Sequence, residues 1–302
     1  MTTWRSEDLD ETTGDRPRRC CLSVPGTDPG MIDKAVRAGA DEVVVDLEDS
    51  VPPQGKEAAR KRVMEWLAAA DAPGVSLAVR VNPPGSPWCH ADLESCAHVR
   101  GVSFSVVLPK VETVGDLAFA DRLLSGAEAA AGRAEPLALQ ALVETAAGLS
   151  RATEIAAGSV RLRAMILGYA DLAASLGRGA ESVPGAWLPS QHAVLTAARA
   201  AGIAALDGPH LGVGTGDDFS SEVKCVAGLG FDGKWVIHPR QVSPVIAAFT
   251  PDADEVRNAR QVLDALATAH RDASGAVELD GRMIDEAVAV AARRTLAKAG
   301  VA

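Results

Sequence analysis

A chain of 302 residues, 47% of them hydrophobic, carries enough apolar material for one large core, which excludes wholesale disorder. Its 40 acidic and 30 basic residues leave a formal charge of -10, a sign that opposes general nucleic-acid binding, which needs cations to displace counterions from phosphate. The 5 cysteines, an odd number with Cys20 and Cys21 adjacent, read as reduced thiols; with no signal-like apolar segment and no run long enough to span a membrane, they point to the cytoplasm.

Residues 1–17 are polar and aperiodic and are expected to form a flexible tail. Beyond them, short β-rich runs alternate with longer helical stretches, the pattern of parallel βα units. Strands are expected at 20–24, 42–46, 77–81, 103–108, 137–143, 163–167, 203–206 and 234–237. Helices are expected between them at 29–38, 56–69, 114–131, 146–157, 188–201 and 218–229. Several of these stop at a glycine (Gly39, Gly132, Gly158, Gly202, Gly230), where a left-handed cap costs least. Residues 88–101 read only as a short connector, the weakest of the units. Eight strand–helix units favour an α/β fold of the closed (β/α)8 TIM-barrel type, spanning 18–250, over an open doubly wound sheet. No dinucleotide fingerprint opens a helix; Gly212-Val213-Gly214-Thr215-Gly216 lies in a loop and lacks the spacing. Residues 251–302 read as a C-terminal extension: a helix at 253–269, a break at Ser274-Gly275, an extended piece at 276–279 and a helix at 283–299. It looks too small for a core of its own and is expected to pack on the barrel or on a neighbouring subunit.

The active site of a barrel lies at the C-terminal ends of its strands. The expected strands deliver Asp46, Glu48 and Asp49, then Arg80 and Asn82, Lys110, Glu144, Asp171, Asp207 and His238 to that rim. Glu144 and Asp171 follow adjacent strands and could converge on one hard cation such as Mg²⁺, which prefers oxygen ligands and retains water. Equally, Glu144 could cap a helix near 146 and Asp171 one after Leu172; spacing leaves both readings open. Arg80 could grip a substrate carboxylate in a bidentate fashion, pair internally with Glu48 or Asp49, or do both. Some of the acids in Asp46-Leu47-Glu48-Asp49 must pair with Arg80 or Lys110 rather than react. His238 reads as a hydrogen-bonded structural histidine, Cys20-Cys21 as core, and Asp285 as a surface acid at a helix start. No zinc spacing and no GxSxG elbow is present.

In order and spacing, several stretches together are specific. They are Leu22-Ser23-Val24-Pro25-Gly26, Val45-Asp46-Leu47-Glu48-Asp49-Ser50-Val51-Pro52 and Arg80-Val81-Asn82, followed by Leu108-Pro109-Lys110-Val111-Glu112. Val143-Glu144-Thr145-Ala146-Ala147-Gly148, Gly168-Tyr169-Ala170-Asp171-Leu172 and Ile237-His238-Pro239-Arg240-Gln241 complete the set. With them the chain from Arg18 onward resembles the citrate lyase β-subunit-like family, related to the HpcH/HpaI aldolases and including malyl- and citramalyl-CoA lyases. The resemblance implies Mg²⁺ on Glu144 and Asp171, and Arg80 on the carboxylate of a 2-oxo acid. It also implies a homo-oligomer, trimer or hexamer, whose C-terminal segment covers a neighbour's site and offers Asp285 as an acid. Asp46 and Glu48 join the expected catalytic set; Pro25 and Gly168 join Arg80 and Asp171 in the expected substrate pocket. The implied function is a Mg²⁺-dependent carbon–carbon lyase that cleaves or forms a β-hydroxyacyl thioester from an acetyl-type thioester and a 2-oxo acid. Coenzyme A is the implied thiol, although Thr27-Asp28-Pro29-Gly30 lacks the basic residues the family often places there. Arg19, Lys34 and Lys56 are the expected substitutes. Ala170, nearer the HpcH/HpaI pattern, keeps open a coenzyme-free 2-oxo-acid aldolase. A lyase subunit acting on a carrier-protein thioester and a non-catalytic ligand-binding member also stay open.

Overall fold

A computed structural model describes residues 17–179, 185–271 and 274–300, so the expected N-terminal tail lies, but for its last residue, outside the described residues. Eight parallel strands form a closed barrel in sequence order. They are β1 (Cys20–Pro25), β2 (Glu42–Asp46), β3 (Ser76–Arg80), β4 (Ser105–Leu108), β5 (Ala138–Val143), β6 (Leu162–Leu167), β7 (Ala204–Asp207) and β8 (Gly233–Val236). The seam pairs Cys20 with Lys234, Cys21 with Trp235 and Leu22 with Val236. The fold is therefore a (β/α)8 TIM barrel, and all eight expected strands are present, none displaced by more than two residues at either end.

These runs are strands because both of their faces are buried, which favours continuous β-branched and small apolar side chains. Inside the barrel, Cys21, Val44, Ala78, Val107, Leu142, Ala164, Ile166, Leu206 and Trp235 pack together. Their neighbours along the strands, such as Val43 and Val45, are equally buried and point outward by the alternation of the strand. The helices behind them are α1 (Pro29–Val36), α2 (Lys56–Ala68), α3 (Cys89–His98), α4 (Val114–Ala131), α5 (Ala146–Ser150), α6 (Ala152–Ala156), α7 (Tyr169–Ser175), α8 (Leu188–Ala200), α9 (Asp217–Leu229) and α10 (Val242–Phe249). Among the described residues, no helix is long and apolar enough to cross a membrane.

Two expectations change within the barrel. The supposed connector at 88–101 contains a full helix, α3, whose buried face is Cys89, Asp92, Leu93, Cys96 and Ala97. That face hides its periodicity because its residues are small or, at Asp92, charged. Asp92 is buried because each oxygen is satisfied: Oδ1 accepts from Arg60 Nε at 2.6 Å, and Oδ2 from the Asn82 backbone and side-chain nitrogens at 2.9 and 2.7 Å. The expected single helix at 146–157 is two short ones, broken at Arg151, which leaves the helical region at φ -115°.

The C-terminal unit, Ile246–Ala302, forms a separate compact unit, with the division falling inside α10. It holds α11 (Ala253–Arg271), β9 (Val277–Leu279), β10 (Arg282–Ile284) and α12 (Glu286–Lys298). The expectation that this segment lacks a core of its own is overturned: Ala259, Val262, Leu266, Ile284, Ala289, Ala292 and Leu296 pack into one. The final helix also starts later than expected. Asp280 and Gly281, both at positive φ, turn β9 into antiparallel β10, the Asp-Gly hairpin geometry, and α12 begins only after Asp285.

Gly233 makes the barrel seam possible, since a Cβ there would lie 1.8 Å from the Arg18 carbonyl oxygen. Gly233→Ala is expected to lower unfolding free energy by about 1–3 kcal/mol or more, measured by urea denaturation, because the clash is with backbone and cannot be relieved by a rotamer change.

Candidate active site

The C-terminal ends of β2, β3, β4, β5 and β6 bring the expected polar residues into one network. Asp46 ends β2, and its carboxylate accepts from the Glu48 and Ser50 backbone nitrogens at 2.8 and 3.0 Å, shaping the following loop. Arg80 ends β3, opposite Asp46 in register, and grips it with Nε at 2.7 Å and Nη2 at 2.8 Å. Its Nη1 lies 2.8 Å from Glu48 Oε2. Burial works to raise the Asp46 carboxyl, but the Arg80 charge and the hydrogen bonds outweigh it, and the group is held below its ordinary value.

Asp46, expected among the catalytic acids, has both carboxylate oxygens engaged by Arg80 and by its own loop. Arg80's internal partner is chiefly Asp46, not only Glu48 or Asp49. Its Nε/Nη2 edge is taken by Asp46 and Nη1 meets Glu48, so of the five guanidinium hydrogens one on each of Nη1 and Nη2 is left for an incoming carboxylate.

Lys110 follows β4, on the rim where it was expected to pair with acids of the Asp46–Asp49 stretch. It sits in the left-handed region, φ 52°, which costs a non-glycine residue about 1–2 kcal/mol. In that conformation its N–H donates to Glu144 Oε1 at 3.0 Å, while its Nζ reaches Glu48 Oε1 at 2.5 Å and comes within 3.7 Å of Asp171 Oδ1. The only sequence signal was its place at a strand end; the unusual backbone angle is invisible there. Glu48, 2% exposed, is raised by burial, with Arg80 and Lys110 pulling it down, and it serves to hold both cations.

Glu144 ends the turn after β5 and is 3% exposed. Burial, then the Glu48 charge, push its carboxyl up to about 8, with Asp171 adding to the rise against Lys110 and Arg80. It is not a helix cap. Thr145 caps α5, its side chain accepting from the Gly148 N–H. Asp171 likewise lies inside the first turn of α7 rather than capping a later helix, with its side chain 38% exposed. Gly168 lets this turn approach: a Cβ there would lie 2.6 Å from both Cβ and Oε2 of Glu144.

The donor set suits a hard divalent cation. Asp46, Glu48, Asp49, Glu144 and Asp171 gather around Arg80 and Lys110, so carboxyl groups outnumber the bases that face them. Among the described residues, only the Lys110 N–H donates to Glu144, so Oε2 keeps its lone pairs. No group of three or more His, Cys, Asp or Glu that could hold a metal exists among the described residues. Glu144 and Asp171 are the carboxylates that could offer oxygen ligands to such a cation, the donor type that a hard ion such as Mg²⁺ prefers.

A family model for HpcH/HpaI aldolase/citrate lyase matches residues 19–239. The chain belongs to this family. An L-malyl-CoA/beta-methylmalyl-CoA lyase of Cereibacter sphaeroides is 35% identical over 288 residues, covering 89% of this chain and 91% of that protein. Citrate lyase subunit beta of Escherichia coli is 37% identical over 287 residues, covering 94% of each. The crystal structure of protein CitE from Mycobacterium tuberculosis in complex with magnesium, acetoacetate and coenzyme A matches with a TM-score of 0.76 at 31% identity, covering 94% of this chain and 98% of that one.

Other residues expected in the site of this HpcH/HpaI family member fall in different places. Pro25 ends β1 on the rim, opposite Asp46. Arg19 precedes β1 at the opposite end of the barrel, where Nε and Nη2 both bind Asp41 at 2.9 Å. Lys34 is exposed in the last turn of α1, a helix that leads away from the rim. Lys56 is 6% exposed, donating to the Leu47 and Glu48 carbonyls at 3.0 and 2.8 Å with Trp88 beside it. Arg19 and Lys34 are thus displaced from the rim and Lys56 is committed to the loop that carries Glu48. Asp285 caps α12, accepting from the Val288 N–H at 3.2 Å. His238 accepts from the Arg240 N–H and Cys20 and Cys21 are fully buried, as the sequence indicated.

A lowered carboxyl such as Asp46 contributes stability that is present above the ordinary value of about 4 and is lost as pH falls through the lowered one. Asp46→Asn is expected to lose about 3–5 kcal/mol at neutral pH, since it leaves Arg80 buried without its main partner. The gap from wild type should shrink at about pH 3, read from urea unfolding at both pH values.

Proposed function

We propose that this chain is a Mg²⁺-dependent carbon–carbon lyase that cleaves or forms a β-hydroxyacyl-CoA thioester, exchanging it with an acetyl-type thioester and a 2-oxo acid. The observation that carries the reading is the pair Glu144 and Asp171, flanking Lys110 on a rim where carboxyl groups outnumber the bases that face them. The malyl-CoA lyase and citrate lyase relatives support the reaction type, and the magnesium, acetoacetate and coenzyme A bound by the M. tuberculosis protein support the ligand classes.

Glu144 and Asp171 hold the metal; when bound, Mg²⁺ supplies Lewis-acid polarisation of a substrate oxygen, worth several kcal/mol. Asp46 and Glu48 clamp Arg80 so that its remaining hydrogens meet the carboxylate of the 2-oxo acid in one orientation, which lowers the entropic cost of reaching the reactive geometry. Lys110, fixed by Glu48, adds a positive charge beside the same acid fragment. Scission breaks the O–H and C–C bonds as the 2-oxo acid's carbonyl forms, so one proton leaves the hydroxyl oxygen and one must be delivered to the carbon next to the thioester carbonyl, where the electron pair is left. We assign that proton to Asp285, supplied by another copy of the chain in a trimer or hexamer in the cytoplasm.

A second reading has its own support. None of Arg19, Lys34 and Lys56 is available at the rim for coenzyme A phosphates, which favours a coenzyme-free aldolase or a carrier-protein thioester. Malyl-, citramalyl- and citryl-CoA assayed beside a 4-hydroxy-2-oxo acid, with thiol and 2-oxo acid release followed separately, discriminate these. Mg²⁺-dependent release of both products from a CoA ester is expected, with Glu144→Gln and Asp171→Asn each lowering kcat/KM roughly a hundredfold or more. Asp285→Ala should lower kcat while leaving Mg²⁺ affinity unchanged. Turnover of only the free hydroxy-oxo acid, indifferent to Asp285→Ala, moves the protein to the aldolase reading; no turnover of any of these substrates rejects the free-CoA lyase and the aldolase and leaves the carrier-protein thioester.

A further inference from the structure

Helix α7 is too short to hold its own geometry. Seven residues give few internal hydrogen bonds against the cost of nucleating a turn, and its N-cap, Gly168, has no side chain to help. Yet this turn carries Asp171, and of its residues only Tyr169 and Leu172 are buried. Leu172 supplies apolar contact without direction. Tyr169 supplies a directed anchor that neither the sequence motifs nor the relatives assign.

The Tyr169 hydroxyl donates to Asp207 Oδ1 at the end of β7 and accepts from Gln191 Nε2 on α8 at 2.7 Å. Asp207 is itself immobile: fully buried, its Oδ2 receives Lys234 Nζ from β8 at 2.5 Å. Burial alone would lower Lys234, but Asp207 and Glu222 raise it on balance, so it stays an ammonium. Its three hydrogens have three acceptors, since Gly208 O lies at 2.5 Å and Glu222 Oε1 at 2.6 Å. His210 Nδ1 then lies 2.7 Å from the other Glu222 oxygen. The ring is confined too, by Trp187 edge-on at 4.9 Å and by Gly208, where a Cβ would lie 3.0 Å from Tyr169 Cδ2. The hydroxyl is thus tied to two strands and a helix, all of them outside the turn it steers.

We propose that Tyr169, anchored through Asp207 and Lys234, is a positioning residue for Asp171: it sets the first turn of α7 so that the Asp171 carboxylate stands beside Lys110 and Glu144 as one divalent-cation site. The proposal rests on the reading of Glu144 and Asp171 as metal ligands. Partners that orient a metal ligand carry energy of their own, and their loss typically weakens metal binding 10- to 100-fold.

The test uses the full chain and Mn²⁺ alone, titrated by loss of the free-ion paramagnetic resonance signal, with Mg²⁺ repeated by calorimetry. Tyr169→Phe removes the hydroxyl and keeps the ring; Gln191→Leu removes only the second hydrogen bond and reports if the first variant does not fold. Tyr169→Phe is expected to raise the Mn²⁺ Kd roughly 10- to 100-fold while circular dichroism stays that of the wild type, with Gln191→Leu shifted less in the same direction. Unchanged Mn²⁺ affinity in both variants, whatever happens to their melting temperatures, overturns the proposal and makes Tyr169 a packing residue. Failure of the wild type to bind Mn²⁺ or Mg²⁺ overturns the metal site itself, an outcome distinct from loss confined to the Tyr169 and Gln191 variants.

Discussion

An excess of carboxyl groups over bases at one end of the barrel is the constraint on which the rest of the site depends. Buried carboxylates persist as ions only when opposite charge or hydrogen-bond donors stand against them. Here Arg80 and Lys110 answer Asp46 and Glu48 directly. Glu144 is left with one backbone N–H and is pushed up to about 8 by burial and its neighbours. Glu144 is the rim carboxyl that the neighbouring cations compensate least, since Arg80 and Lys110 are paired chiefly with Asp46 and Glu48.

That arrangement makes the backbone as chemical as the side chains. Lys110 accepts a left-handed conformation so that one residue can touch Glu144 through its N–H and Glu48 through its ammonium. Gly168 removes the Cβ that would fill the space over Glu144. Such departures are tolerated only where the surrounding barrel over-determines them. The closed sheet, with β8 sealed onto β1, provides that rigidity, and the strand ends present the acids in fixed register.

Charge placement also separates support from chemistry. Lys56 looked like a phosphate ligand, yet it is buried and holds the Leu47 and Glu48 carbonyls, so its charge shapes the β2 loop. The Lys234, Asp207 and Glu222 cluster does the same for the opposite side of the rim, with a buried ammonium satisfied by three oxygens. Both lysines are inside because oxygen acceptors meet their ammonium groups there.

The local pattern along the chain was enough to determine the strands and the barrel and to put Glu144 and Asp171 on one rim, because the alternation of strand and helix, glycine stops and the strand-end location of acids are all properties of neighbouring residues; it left metal ligation and helix capping both open for that pair. It also carried His238 as a hydrogen-bonded residue and Cys20 and Cys21 as core. Helix α3 escaped because Asp92 interrupts its apolar face, and only Arg60 on α2 and Asn82 just past β3 make that acid's burial tolerable. Asp280-Gly281 carries the signal of a turn, but the helix expected from 283 absorbed Met283 and Ile284 of β10. Tertiary structure alone decided that Arg80 answers Asp46, that Arg19 stands at the far end of the barrel, and that the Lys110 N–H meets Glu144. The physical reason is that ion pairing and burial depend on distances between strands far apart in the chain, and no local periodicity encodes which base meets which acid.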